Sequence, residues 1–284
     1  MNKTKKWDSI LIPNNKWFHF HFREIFDYKD LLFLFVKRDL ITFYKQTILG
    51  PLWFFLQPLI TTIVFSLIFN KIANIPTDGV PPIIFYMAGI IAWNYFSQCL
   101  NSTSTVFTSN ASLFSKVYFP RIIIPISKTI SSLTKFVVQL FMFLGIYVYF
   151  LLNGNTMLKL DFRFIWILPI LVFQMAILGQ GIGMIVSSLT IKYRDLQHLV
   201  SFGTQLLMYA SPIVYPLSSV PEKYQFYINL NPMTSIINIF RRVFIGVGTI
   251  DFASFYQSIY VTILIFLLGL ALFNKFEKNF IDTA

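Results

Sequence analysis

Six stretches of this chain contain no Asp, Glu, Lys or Arg: residues 46–70, 79–115, 136–158, 164–191, 196–221 and 252–274. Their lengths are 25, 37, 23, 28, 26 and 23 residues. A helix needs roughly 18–20 apolar residues to cross the hydrocarbon of a bilayer, so each stretch is long enough. Lipid offers no water to an open backbone, and at this hydropathy only helices satisfy their own N–H and C=O groups. The expected fold class is therefore an all-α integral membrane protein of six transmembrane helices. The spans fall at about 51–70, 82–105, 127–151, 164–188, 197–216 and 252–274. They make a membrane domain over 51–275, after an N-terminal segment 1–50 and before a tail 276–284.

Composition agrees. Only 12% of the 284 residues are charged, against 56% hydrophobic and 18% aromatic. Soluble domains carry about 25% charged residues. The formal charge of +11 suits an anionic membrane face or a nucleic acid; the hydropathy favours the membrane, and no nucleic-acid partner is expected. Cys99 is the lone cysteine, so neither an internal disulfide nor a cysteine metal cluster is expected. Lys3, Lys5 and Lys6 are followed by polar and aromatic residues instead of an apolar core, so the first span is expected to act as the insertion signal.

An even number of spans puts both termini on one side. If that side is the cytoplasm, inner segments hold 17 Lys and Arg and outer segments six. Positive charge collects inside, so both ends are expected to be cytoplasmic. The second charge-free stretch ends in the polar run NSTSTVFTSNAS (101–112), suited to hydroxyl packing between helices.

Ahead of the first span, residues 22–46 mix apolar and charged residues. Phe33, Val36, Leu40 and Phe43 form a stripe at helical spacing, with Asp30, Lys37, Arg38 and Lys45 on the polar side. Such a helix lies in the membrane interface, as a simple anchor or as a docking face for a partner. Gly50 and Pro51 then interrupt it, and Trp53 suits the boundary. Between the last two spans, 211–251 holds four prolines before the FRR at 240–242 and two short apolar patches. A helix over about 234–246 is expected there, either dipping into the outer leaflet as a gate or lying on its surface.

Much chemistry is missing. No glycine is followed by lysine, so no phosphate-cradling GxxxxGK[ST] loop exists. The three histidines, His19, His21 and His198, offer no metal set, and none is expected. All twelve acids lie outside the six stretches, which argues against an intramembrane catalyst or proton relay. Energy for transport must come from outside the chain. The aromatics, 33 Phe, 14 Tyr and 5 Trp, mostly pack or sit at interfaces. A subset, with Phe54, Phe65, Trp93 and Tyr209 as candidates, offers flat faces on which sugar rings can stack.

The segments RDLITFYKQTILGPLWFFLQPLITTIVFSLIFNKI (38–72), SKVYFPRIIIPIS (115–127), KYRDL (192–196) and NPMTSIINIFRRV (231–243) together resemble the permease subunits of bacterial ABC polysaccharide exporters. These type-2 ABC transporters export O-antigen, teichoic acid or capsular polysaccharide. The resemblance implies a non-enzymatic permease in the bacterial inner membrane that moves a lipid-linked polysaccharide. Its partners would be a second copy of itself, two ABC ATPase subunits and membrane lipids. ATP and Mg would sit on the ATPase, with no cofactor in this chain.

The resemblance also assigns places. Lys116, Val117, Tyr118, Phe119, Pro120 and Arg121 correspond to the segment that couples to the ATPase. The bare sequence allows Val117–Phe119 to be a short helix with exposed aromatics, stopped by Pro120, with Pro125 in the first turn of the third span. Glu24, Arg38, Asp39, Tyr193, Arg194 and Asp195 are candidate contacts with the ATPase or the membrane interface. A channel at a dimer interface would involve the first and fifth spans. Tyr215, Asn231, Pro232 and Arg241 fall in the outer gate. Two alternatives stay open: a type-2 exporter of small molecules such as drugs, and a non-transport scaffold of cell-envelope glycan synthesis.

Overall fold

The computed structural model describes residues 26–45, 48–114, 116–117, 119–154, 157–193, 195–248 and 250–283. Among them every regular element is helical. Helix α1 (Lys29–Lys45) leads through a 3-10 turn (Gly50–Leu52) into α2 (Trp53–Phe65), whose last turns widen into a π-helix (Ser66–Ile72). Then come α3 (Pro82–Ser104), the short α4 (Val106–Ser109) and α5 (Ala111–Phe114), and the long α6 (Ile123–Leu152). A 3-10 turn (Phe162–Ile167) opens α7 (Leu168–Thr190), followed by α8 (Leu196–Ala210), α9 (Glu222–Asn229), α10 (Pro232–Ile245) and α11 (Phe252–Thr283).

Five helical stretches are long and apolar enough to cross a bilayer: Gly50–Ile72, Pro82–Ser104, Ile123–Leu152, Phe162–Thr190 and Phe252–Phe276. The expected fifth span differs. Helix α8 has 15 residues, about 22 Å at 1.5 Å per residue, against about 30 Å of hydrocarbon. Proline explains the stop. Pro212 inside a helix would lack its N–H and clash with the carbonyl four residues back. The chain turns instead at Ser211, whose N–H donates to Leu207 O at 3.0 Å and whose hydroxyl donates to the same carbonyl at 2.7 Å.

Other boundaries also move. The third long helix begins at Ile123, which leaves Pro125 in its first turn. The expected tail is a helical continuation, because α11 runs on to Thr283. Its start is capped by Asp251, which accepts from the N–H groups of Ala253 and Ser254. The Ser254 hydroxyl, with those N–H groups, holds this carboxyl below its usual range. The segment between α8 and α11 holds two helices, not one. Helix α10 starts at 232 because Asn231 accepts from Met233 N–H at 3.0 Å and Pro232 suits the first helical position. It ends where Gly246 takes φ +79°, a left-handed cap that spares a side chain the steric penalty.

Helix α3 is the centre. It packs against α7, α6, α10 and α2, and of the five long helices it is both the least apolar and the most completely buried. Beyond its first turn its part-exposed residues are all polar: Asn94, Ser97, Gln98, Asn101 and Ser102. Its NSTSTVFTSNAS continuation bends rather than spans: hydroxyls of Ser102, Ser104, Thr105 and Ser109 turn back onto carbonyls three or four residues earlier. That competing bonding breaks the helix at Thr105 and Asn110.

Close approach of α7 to its neighbours depends on GQGIG (179–183). A Cβ at Gly179 would sit 2.7 Å from Phe96 O, and one at Gly183 would sit 2.8 Å from Leu100 O, both on α3. On the opposite side, a Cβ at Gly181 would lie 2.8 Å from Phe266 Cα of α11. Small residues let helix backbones meet closely in lipid. Above this seam, Gln174 Nε2 donates to Ser258 Oγ at 2.6 Å, and Ser258 Oγ donates to Pro232 O at 2.9 Å. One buried chain of bonds thus ties α7, α11 and the start of α10. Gly183→Ala is expected to lower the melting temperature of the purified protein in detergent, an overpacking cost of about 1–3 kcal/mol. Gly145→Ala on α6, where nothing lies within 4 Å of the added carbon, is expected to be neutral or to raise it.

Candidate functional site

The stretch 116–121, expected to couple to an ATPase, lies among packed aromatics. Phe107, Phe114 and Phe119 point inward with Phe35 of α1 and Phe273 of α11. Phe119 lies 5.7 Å from Phe35 and 5.9 Å from Phe114 between ring centroids. Phe107 stacks on Phe273 at 4.7 Å. Phe119 is 4% exposed and Arg121 6%, with the Arg121 guanidinium 5.1 Å from the Phe114 ring.

This corrects the expectation of exposed aromatics on a short helix at 117–119. The short helix is α5, ending at Phe114, and Phe119 is internal. An apolar ring gains more from the pocket between α1 and α5 than from any position open to water. Lys116 and Val117 are the exposed members of the segment, Pro120 is half-buried, and Tyr118 lies outside the described residues.

Helix α1 packs on the start of α6. Its buried side consists of Phe35, Val36 and Asp39, whereas Phe33 and Leu34 are exposed. The expected stripe therefore splits, because the helix carries apolar residues on two faces and α6 covers one. Asp39 is nearly buried and pairs with two cations: Lys128 Nζ at 2.8 Å and Arg38 Nη2 at 3.1 Å. Arg38 also lies over Phe35 at 4.8 Å. A cation from the first turns of α6 holding an acid of α1 could not be read from either segment alone.

The α7–α8 turn joins the same end of the bundle. Tyr193 and Asp195 are exposed there, and Gln197 Nε2 donates to Thr108 Oγ1 of α4 at 2.7 Å. Glu24 and Arg194 lie outside the described residues. Of the candidate contacts, Arg38, Asp39, Lys116, Val117, Tyr193 and Asp195 thus gather at one end.

The candidate sugar-stacking aromatics scatter. Phe65 packs edge-on against Phe69 and Tyr86 in the core, and Trp93 packs on Phe96 at 5.1 Å. Neither faces a surface: Phe65 is 7% exposed and Trp93 4%. Phe54 is half-buried beneath the Lys135 ammonium at 5.6 Å. Tyr209 is exposed on α8.

At the opposite end, Arg241 is the organising residue. It is 2% exposed. Its Nη1 donates to Pro212 O, and its Nη2 to Ile213 O at 2.8 Å. The guanidinium lies 3.6 Å from the Phe85 ring centroid of α3, and the room it needs exists because residue 89 is glycine: a Cβ there would sit 2.9 Å from Nη2. Asn231 Nδ2 donates to Ser211 Oγ at 2.9 Å, and the Tyr215 hydroxyl donates to Ala210 O at 3.2 Å. Pro232 O accepts from Ser258. Tyr215, Asn231 and Arg241 therefore fix the break after α8, and Pro232 ties the start of α10 to α11. The adjacent 3-10 turn, Leu217–Ser219, is held to the α2–α3 loop by Ser218 Oγ donating to Asp78 at 2.8 Å.

A helical bundle with five lipid-length helices, an amphipathic helix at one end and buried helices closing the other defines a polytopic membrane protein. Residues 30–245 match the ABC-2 type transporter family, and the chain belongs to it. It is similar to an O-antigen export system permease protein, RfbA, of Klebsiella pneumoniae, 28% identical over 89% of this chain and 94% of that one. A namesake from Myxococcus xanthus is 28% identical over 78% and 83%. The polysialic acid transport protein KpsM of Escherichia coli is 24% identical over 85% and 91%.

Replacing Arg241 by Met would leave the Pro212 and Ile213 carbonyls buried without donors, at about 1–3 kcal/mol each. Arg241→Met is expected to speed maleimide labelling of a cysteine placed at Val214, which is 5% exposed. Unchanged labelling would show that the guanidinium does not hold the break.

Proposed function

We propose that this chain is the permease subunit of an ATP-driven exporter that moves a lipid-linked polysaccharide, most closely of the O-antigen kind, across the bacterial inner membrane. The observation that carries this reading is the similarity, over nearly nine-tenths of the chain, to permeases named for O-antigen export. Similarity to polysialic acid and capsule exporters points to the same substrate class, a long glycan. In this reading α8 and the segment held by Arg241 together complete a sixth crossing. Both termini face the cytoplasm, as the distribution of Lys and Arg favours.

Two copies of the chain enclose the channel, and two ABC ATPase subunits bind at the end carrying α1, α4, α5 and the α7–α8 turn. ATP and Mg sit on that partner, and this chain supplies no catalytic group. Burial divides the coupling segment into two roles. The exposure of Lys116 and Val117 supports a role for them in touching the ATPase, whereas Phe119 packs on α1 and Arg121 on α5.

Deleting the gene is expected to abolish surface polysaccharide while glycan accumulates inside the cell; normal surface polymer in the deletion would refute the reading. Lys116→Glu with Val117→Asp is expected to weaken co-purification of the ATPase and cut export while leaving the melting temperature of the permease unchanged. Phe119→Ala is expected to destabilise the permease itself by about 3–5 kcal/mol, as for other buried rings.

A further inference from the structure

We propose that the cleft between α1, the start of α2 and the first turns of α6 binds the phosphate of an anionic membrane lipid. Three cations from two helices gather there, two of them paired with one carboxylate. Arg38 and Lys128 hold the two oxygens of Asp39. Lys135 follows Lys128 by seven residues, two turns along the same face of α6, within electrostatic reach of both Lys128 and Asp39. Its ammonium lies over Phe54 at the beginning of α2.

Depth identifies the ligand. Helix α6 has 30 residues, about 45 Å, against about 30 Å of hydrocarbon. Its far end is fixed by the turn at Asn153 and Gly154. Counting back about 20 residues from there places the edge of the hydrocarbon between Lys128 and Lys135, at the level of lipid phosphates. A lysine that merely obeyed the charge rule for membrane loops would extend into water. These side chains turn toward an acid that is 9% exposed, and they stay reachable: the Arg38 and Lys128 side chains are 44% and 26% exposed. Leu49, Leu52, Trp53 and Phe55 stand exposed beside them, an apolar border for acyl chains. A phosphodiester docked there would meet several cations at once, and each adds to its affinity. This inference rests on the chain lying in a bilayer and not on its cargo or orientation.

The full chain, reconstituted in nanodiscs of mixed phosphatidylglycerol and phosphatidylcholine and released into mild detergent, is read by native mass spectrometry. Phosphatidylglycerol is expected to stay bound in preference to phosphatidylcholine. Lys135→Gln and Arg38→Gln should each reduce that retention about fivefold, and Lys135→Arg should preserve it. Lys159→Gln, at the opposite end of α6, should change nothing. Arg38 is half-exposed, so its variant keeps the test open if Lys135→Gln does not fold. Equal retention of both lipids, or an equal loss in Lys159→Gln, would overturn the site. Displacement by inorganic phosphate with no dependence on the lipid would overturn its assignment to a lipid. Export is not part of the readout, so the result stands apart from the proposed cargo.

Discussion

A guanidinium buried inside a membrane protein is costly unless something accepts its hydrogen bonds. Arg241 finds those acceptors in the carbonyls of Pro212 and Ile213, which themselves have no helix to satisfy them because α8 has stopped. Two otherwise unfavourable groups, a buried cation and a broken helix end, thus satisfy one another. Irregular backbone at membrane depth is tolerated only where protein shields it, and here α10 supplies the shield. The irregular turn from Ser211 to Val214 can therefore lie inside the bundle without itself spanning it. Removing the charge from this position would strand the carbonyls, and straightening the backbone would strand the charge.

At the other end the same economy is reached with rings. Phe35, Phe114 and Phe119 come from three separate segments and close over one another, while Asp39 and Lys128 fix how α1 lies on α6. An aromatic cluster sets proximity but little orientation; an ion pair at low exposure sets orientation. Together they make the coupling segment and α1 one body. Residues flanking the exposed Lys116 and Val117 are thereby joined to α1 and, through Asp39, to α6.

Much of this was legible in the sequence because charge is excluded from lipid so strictly. Five of the six charge-free stretches each overlap one of the five long helices, and the helix expected over about 234–246 corresponds to α10. The same rule misread 196–221. Absence of charge says that a segment avoids water, not that it is one helix, and Pro212 divides it. Nor could hydropathy tell lipid-facing aromatics from buried ones: Phe65 is buried although it occurs in a run as apolar as those of the other exposed helices. Which helix is central follows from partners distant in sequence. The glycines at 179, 181 and 183 were a local sign of close packing, but their partners on α3 and α11 were not. Likewise, Phe119 beside Pro120 looked like an exposed contact because its partner, Phe35, lies 84 residues away in the chain.

Helix α3 connects the two ends. Phe85 and Gly89 near its start receive the Arg241 side chain, and its last turn runs into α4 and α5, which carry the ring cluster. Between these points it is 23 residues of helix, about 35 Å, enclosed by α2, α6, α7 and α10. A close-packed helix resists compression along its axis and moves as a rod. The glycine seam with α7 seats Cys99 and Thr103 of α3 over Gly179 and Gly183, so the two helices are held in close register. A small axial shift of α3, begun at α5, would arrive at Gly89 undiminished, where room for the guanidinium is already at its minimum. The carbonyls of Pro212 and Ile213 would have to follow Arg241 or lose it. A displacement of α3 at Gly89 would therefore act directly on Arg241 and on the two carbonyls it holds.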